Sequence, residues 1–198
     1  MARTVDPAQH EARRMHIIDA ALTRFAATGY GGTTTAAICQ QAGIGSGTFF
    51  YYFPTKTAVL VAIIDLGTEQ TRAWFTNQHE RADPLTVLDD YLTHTTAEMA
   101  DTRIAGFVRA VGAVMNQAEV AAALERDDTA LRQGLLPWIQ AAQDNRTARN
   151  DLSPERLTEW MILLLNGFLD HIATTPAFTA GHEAAMLHDT VHRLLRPQ

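Results

Sequence analysis

Apolar residues recur at three- and four-residue spacing along almost the whole chain. From Gln9 to Thr28 the residues Ala12, Met15, Ile18, Ala21, Leu22, Phe25 and Ala26 form one stripe, which predicts an amphipathic helix stopped by Gly29. After Gly29-Tyr30-Gly31-Gly32-Thr33, the segment Thr34 to Ala42 puts Ala37, Ile38 and Ala42 on one face, with a threonine as its N-cap. Gly43-Ile44-Gly45 breaks the pattern before a short helix over Ser46 to Phe53. Pro54 then precedes a long periodic stretch from about Thr55 to about Glu80.

Beyond Asp83-Pro84 the spacing predicts helices over roughly Leu85 to Ala100, Ile104 to Met115, Ala118 to Arg126, Thr129 to Asn145, Pro154 to Ala173 and His182 to Leu195. Ser153-Pro154 reads as an N-cap with a first-turn proline, and Thr174-Thr175-Pro176 with Gly181 divides the last two helices. No segment alternates apolar and polar residues between hairpin turns, so the expected fold class is all-α. The expected organisation is a compact head over residues 1–56, a connecting helix at about 55–80, and a helical body over 57–198.

Composition narrows the function classes. The chain has 198 residues, 46% hydrophobic and 19% charged, as in an ordinary globular protein. Its longest unbroken apolar run, Ala58 to Ile64, is far short of the roughly 20 residues a membrane span needs, and the N-terminus lacks an apolar signal core. A cytoplasmic protein without membrane contact is expected. The formal charge of −6 argues against a non-specific nucleic-acid coat. The charge is uneven, however: the first 56 residues carry five basic and three acidic side chains, and the rest are strongly acidic. A cationic head on an anionic body suits a polyanion that meets the head alone.

Two short helices across a tight glycine turn, TTAAICQQAGIGSGTFFYYF, have the length and punctuation of a helix-turn-helix, whose second helix enters the DNA major groove. Ala42-Gly43 permits close approach, and Ile44 can plug the space between the helices. Phe25, Gly29-Tyr30, Thr34-Thr35, Ile38, Ala42-Gly43-Ile44, Gly47-Thr48, Tyr52-Phe53, Lys56 and Leu60 together resemble the N-terminal pattern of the TetR/AcrR family of bacterial transcriptional regulators. The resemblance covers about the first 65 residues. It implies a homodimer whose heads bind a palindromic double-stranded DNA operator and whose body binds a small effector.

Carried onto this sequence, the resemblance makes Thr35, Tyr51, Tyr52 and Lys56 phosphate contacts. It makes Ser46, Gly47 and Thr48 neighbours of base edges. Phosphate contacts set position and base contacts set sequence preference. Gly45 and Phe50 depart from the family's frequent serine and tyrosine, which removes one helix cap and one phosphate contact. Of the five consecutive aromatics, Phe49 and Phe53 have the spacing of core residues, which leaves Tyr51 and Tyr52 for the phosphate backbone.

Other chemistries fare worse. Cys39 is the only cysteine, and a lone cysteine in a small apolar helix reads as packing rather than as a redox switch. His188 and His192 share a helix face, but two ligands do not close a zinc site, and a solvated face is the simpler reading. The only serines, Ser46 and Ser153, lie outside any nucleophile elbow, so no enzyme activity, metal or cofactor is expected.

In the body, Met99, Phe107, Met115, Trp138, Trp160, Met161 and Phe168 are large adaptable residues on several helices and are the candidate lining of an effector cavity. Gly134 and Pro137, inside a helical pattern, suggest incomplete packing there. Leu157, Met161, Leu164, Leu165 and Phe168 on one helix, with Val191, Leu194 and Leu195 on the next, are the candidate dimer interface. The expected function is a ligand-responsive repressor, released from its operator by a small apolar effector. The alternative is a helical small-molecule-binding protein with no operator. A connecting helix of about 40 Å, at 1.5 Å per residue, would serve as the lever between effector and DNA.

Overall fold

A computed structural model describes residues 6–79, 81 and 83–197. They form α1 (Pro7–Gly32), α2 (Thr35–Ala42), α3 (Ser46–Tyr52), α4 (Lys56–Thr76), α5 (Pro84–Met99), α6 (Ile104–Gly112), α7 (Ala118–Asp144), α8 (Pro154–Thr174) and α9 (Ala180–Leu195). Among the described residues there is no strand, and the fold class is all-α as the periodicity implies. No single helix among them is long and apolar enough to cross a membrane.

Local signals fix most boundaries. Asp6, Thr34, Thr55, Asp83 and Ser153 each cap a helix by accepting a hydrogen bond from a first-turn amide, and prolines open α1, α5 and α8. Gly29 leaves helical geometry at φ 68°, ψ 176°, so the last turn of α1 is offset from the rest. α4 stops at Thr76 with Asn77 as its C-cap, shorter than the pattern predicts; its expected end at Glu80 lies outside the described residues. Its 21 residues span about 30 Å rather than 40 Å.

One expected break is absent. The two helices predicted either side of Asp127-Asp128 are a single helix of 27 residues, α7. The Thr68 hydroxyl of α4 donates to Asp127 Oδ1 at 2.8 Å, so this acid is anchored on the helix instead of ending it. Val120, Ala123 and Ala130 carry the apolar stripe straight through.

The interior has two centres. The first joins Ile17, Phe25, Ile38, Phe49, Phe53, Val59 and Leu60 to Ala110, Val111, Val120 and Ala123, so it crosses residue 56 and continues from the head into α6 and α7. The second holds Phe75, Leu88, Leu92, Leu135, Ile139, Leu157, Met161, Leu165 and Val191 in the far part of the body. α6 also reaches the head through its N-cap, Arg103, whose Nη1 donates to Asp19 of α1 at 2.7 Å while Nε and Nη2 of the same guanidinium hold Asp101.

Candidate nucleic-acid interface

α2 and α3 are held at a fixed angle by the glycine turn. Gly43 adopts φ 61°, ψ 35°, a left-handed conformation that a β-carbon disfavours, and its amide donates back to the Cys39 and Gln40 carbonyls. The Ile44 amide donates to the Cys39 carbonyl at 3.0 Å, so the chain turns out of α2 and straight into α3. Gly45 is the N-cap of α3 and offers no side-chain acceptor, as its departure from serine implies. Cys39 is buried and free.

The aromatic run divides by helical face. Phe49 and Phe53 are buried in the head's core, and Tyr51 projects 67% exposed. Phe50 is half exposed as well. Tyr51 and Tyr52 meet edge to face at 5.1 Å between ring centroids, and His10 of α1 lies 4.6 Å from the Tyr52 ring and 5.9 Å from that of Tyr51. Ser46 and Gly47 are exposed at the start of α3, with Thr48 and Thr35 half-buried beside them. Six of the seven residues expected at DNA thus lie on α2 and α3 and leave polar groups at the surface.

Lys56, the seventh, has a second occupation. Its Nζ donates to the Tyr30 carbonyl at 2.7 Å and the Thr33 carbonyl at 2.8 Å, and it sits 4.1 Å from the centre of the Tyr30 ring. Desolvation holds its ammonium below the ordinary lysine value. The Tyr30 hydroxyl in turn bonds the Thr57 hydroxyl at 2.7 Å. Lys56 therefore pins the loop between α1 and α2 to the start of α4. One of its three N–H groups remains for a further acceptor.

His16 escaped sequence reasoning. Its Nε2 donates to the Ala42 carbonyl at 2.9 Å and fastens α1 to the end of α2. Because a carbonyl can only accept, the bond fixes the proton on Nε2. A histidine on the polar side of an amphipathic stripe carries no signal for this.

Residues 17–63 match the family model described as bacterial regulatory proteins, tetR family. The head carries the TetR-family DNA-binding domain. The chain's relatives include the uncharacterized HTH-type transcriptional regulator YuxN of Bacillus subtilis (strain 168), 33% identical over 78 residues that make up 39% of this chain and 27% of YuxN. The HTH-type transcriptional regulator UidR of Escherichia coli (strain K12) is 25% identical over 170 residues, 85% of this chain and 86% of UidR. Among solved structures, Salmonella enterica GusR superposes with a TM-score of 0.74 at 24% identity, over 97% of this chain and 98% of that one. The SmeT–triclosan complex gives 0.79 at 19% identity, over 93% and 92%. The matched residues take in α2 and α3, the helix-turn-helix of the head.

The body distributes the remaining candidates unevenly. The seven residues expected to line an effector cavity do not meet in one. Phe107 packs on the first core, with the head, while Met99 and Trp138 pack on the second. Met161 and Phe168 are buried within that second core, and Met115 and Trp160 are about half exposed. Only Trp138 lines either of two cavities: one of about 320 Å³ between α4 and α7, and one of about 360 Å³ between α5 and α9. Gly134 and Pro137 both line the first of these, where incomplete packing is expected, and a β-carbon at Gly134 would come 2.2 Å from the Phe75 ring.

Of the residues expected at the dimer interface, Leu157, Met161, Leu165, Phe168, Val191 and Leu195 are buried inside a single chain, and Leu164 and Leu194 are half-buried. They form the inner faces of α8 and α9. The outer faces carry Trp160 and Leu163 on α8 and Met186 on α9, at 47%, 57% and 64% exposure. His188 and His192 do not simply face solvent either; both ring nitrogens approach one oxygen of Asp89 on α5, at 3.1 and 2.9 Å. Among the described residues no group of three side chains is placed to hold a metal ion.

Proposed function

We propose that the chain is a dimeric transcriptional repressor, working in the cytoplasm, that binds a palindromic operator through α3 and releases it when a small molecule enters the body. The reading rests above all on α3. It presents Ser46 and Gly47 at one end and the exposed Tyr51 at the other, with its apolar side buried through Phe49. Ser46, Gly47 and Thr48 are assigned to base edges. Thr35, Tyr51, Tyr52 and the remaining N–H of Lys56 are assigned to phosphates. The complex of SmeT with triclosan supports a small-molecule effector for a chain of this fold.

Dimerisation is assigned to the outward apolar faces of α8 and α9. Trp160, Leu163 and Met186 are exposed on neighbouring helices, and covering them with the same surface of a second copy generates the two-fold that a palindromic site requires. Recognition helices of such a dimer sit about 34 Å apart, one DNA turn.

The test is retention of fragments of the source genome on the purified protein, followed by anisotropy titrations of the recovered sites at several salt concentrations. The expected result is a two-fold symmetric site bound with a steep negative salt dependence. Binding that ignores sequence, or no binding at any salt, would sink the operator assignment and favour a helical small-molecule-binding protein. Substitutions at Ser46 and Thr48 are expected to reorder preference among sites instead of weakening all of them alike.

A further inference from the structure

The cavity of about 320 Å³ between α4 and α7 has a chemistry of its own. Its lining includes Phe75, Gly134, Pro137 and Trp138 as an apolar part, with Arg72, His79 and Gln133 as polar groups. Because a β-carbon on Gly134 would collide with the Phe75 ring, that ring takes the space a side chain would fill, and it lines the cavity. Pro137 has no amide hydrogen, so the carbonyl of Gln133, four residues earlier in α7, loses its helical donor. The lining therefore offers two aromatic side chains, a guanidinium and, at Gln133, a backbone carbonyl without its helical donor.

The nearby acid does not cancel the guanidinium. Asp127 feels the charge of Arg72, but its carboxylate is turned to the Thr68 hydroxyl, is mostly buried and does not line the cavity. Among the described residues Arg72 makes no ion pair, and its side chain is exposed. A guanidinium beside aromatic side chains is matched by a planar carboxylate, held by paired N–H···O bonds at one end and by ring contact along its body.

We infer that this cavity is the effector site and that it takes a flat organic carboxylate bearing a hydroxyl group, with the carboxylate on Arg72, the ring between Phe75 and Trp138, and the hydroxyl donating to the Gln133 carbonyl. The inference rests on the effector-responsive reading above and gives that effector a chemical class. It replaces a purely apolar ligand with an anion. It also places the ligand directly against α4, the helix that starts at Lys56 in the head.

Titration calorimetry on the full-length protein tests it, with 6-hydroxy-2-naphthoate as the probe and its neutral amide, 6-hydroxy-2-naphthamide, as the control. The carboxylate is expected to bind at least about tenfold more tightly than the amide. Arg72→Gln is expected to erase that preference while leaving the amide's affinity in place, and Arg72→Lys is expected to retain part of it. Trp138→Ala should weaken both compounds. Equal binding of acid and amide, a preference that survives Arg72→Gln, or no binding of either compound would overturn the assignment. Operator affinity is measured separately: Arg72-dependent binding of the acid that leaves DNA binding untouched would uphold the site and remove the regulatory reading instead.

Discussion

Gly106 of α6 lies so close to Ala26 of α1 that a β-carbon at position 106 would fall 2.1 Å from the Ala26 carbonyl oxygen and 2.8 Å from its α-carbon. The obstacle is backbone, which cannot rotate aside as a side chain can. Head and body thus touch along main chain, a short step from the Arg103–Asp19 bond.

Gly106→Ala is accordingly expected to force α6 away from α1. Overpacking of this kind costs about 1–3 kcal/mol, and here the gain in helix propensity from alanine recovers only about 1 kcal/mol. A lowered denaturation midpoint with an unchanged slope would record the effect. A variant as stable as the parent would show that the close approach relaxes without cost.

Lys56→Met removes both the donor to two loop carbonyls and the cation assigned to a phosphate. The loss of stability is expected to be about 1–3 kcal/mol, the usual penalty for leaving partly buried carbonyls without a donor. In operator titrations the slope of log affinity against log salt is expected to fall by about 0.9, the value for one lost phosphate contact. Reduced stability with an unaltered salt slope would confine Lys56 to pinning the loop.

Leu163→Arg and Leu165→Arg, two residues apart on α8, are expected to diverge. Leu163 is 57% exposed and belongs to the outward face, so its arginine variant should stay folded and sediment as a monomer that binds the operator poorly. Leu165 is 3% exposed, so its variant buries a charge and should lose its fold. A folded, dimeric Leu163→Arg protein would exclude this part of α8 from the interface.

Burial raises the carboxyl pKa of Asp127 above its ordinary value, with the Thr68 hydrogen bond opposing the shift only in part. A carboxyl whose folded pKa is raised binds its proton more tightly in the native state. Its stabilising contribution is therefore complete at acid pH and is lost as pH rises from the ordinary aspartate value through the raised one. Asp127→Asn keeps an acceptor for Thr68 and removes the charge, so the variant is expected to be the more stable protein at neutral pH and to lose the advantage on acidification. Denaturant midpoints of both proteins across pH 3–8 (a span of about five units around the aspartate range) would check the sign.

The head was legible in the sequence because its signals are local. Gly29, Gly43 and Gly45 are punctuation, Thr34 and Thr55 are caps, and the four-residue spacing of Phe49 and Phe53 leaves Tyr51 on the other side. The body was legible as helices but less so as surfaces. In α8 the strongest apolar stripe is the one the chain buries in itself, so ranking residues by hydrophobicity selects Leu157, Met161 and Leu165 in place of Trp160 and Leu163. Asp127-Asp128 has the look of a break until α4 supplies Thr68 as a partner. Side-chain size alone could not foretell that Phe107 packs toward the head while Trp138 packs in the far core.

The lysine that pins the loop is also the only lysine in the sequence. Every acylating or reductively alkylating reagent that seeks an ε-amine in this protein has a single destination, and it lies at the joint between the first helix, the recognition motif and the helix that leads into the body. Capping that nitrogen with an acetyl group would cancel its charge and leave one N–H where two carbonyls now share an ammonium. A modification visible as one added mass would thus loosen the joint on which the pose of α2 and α3 depends.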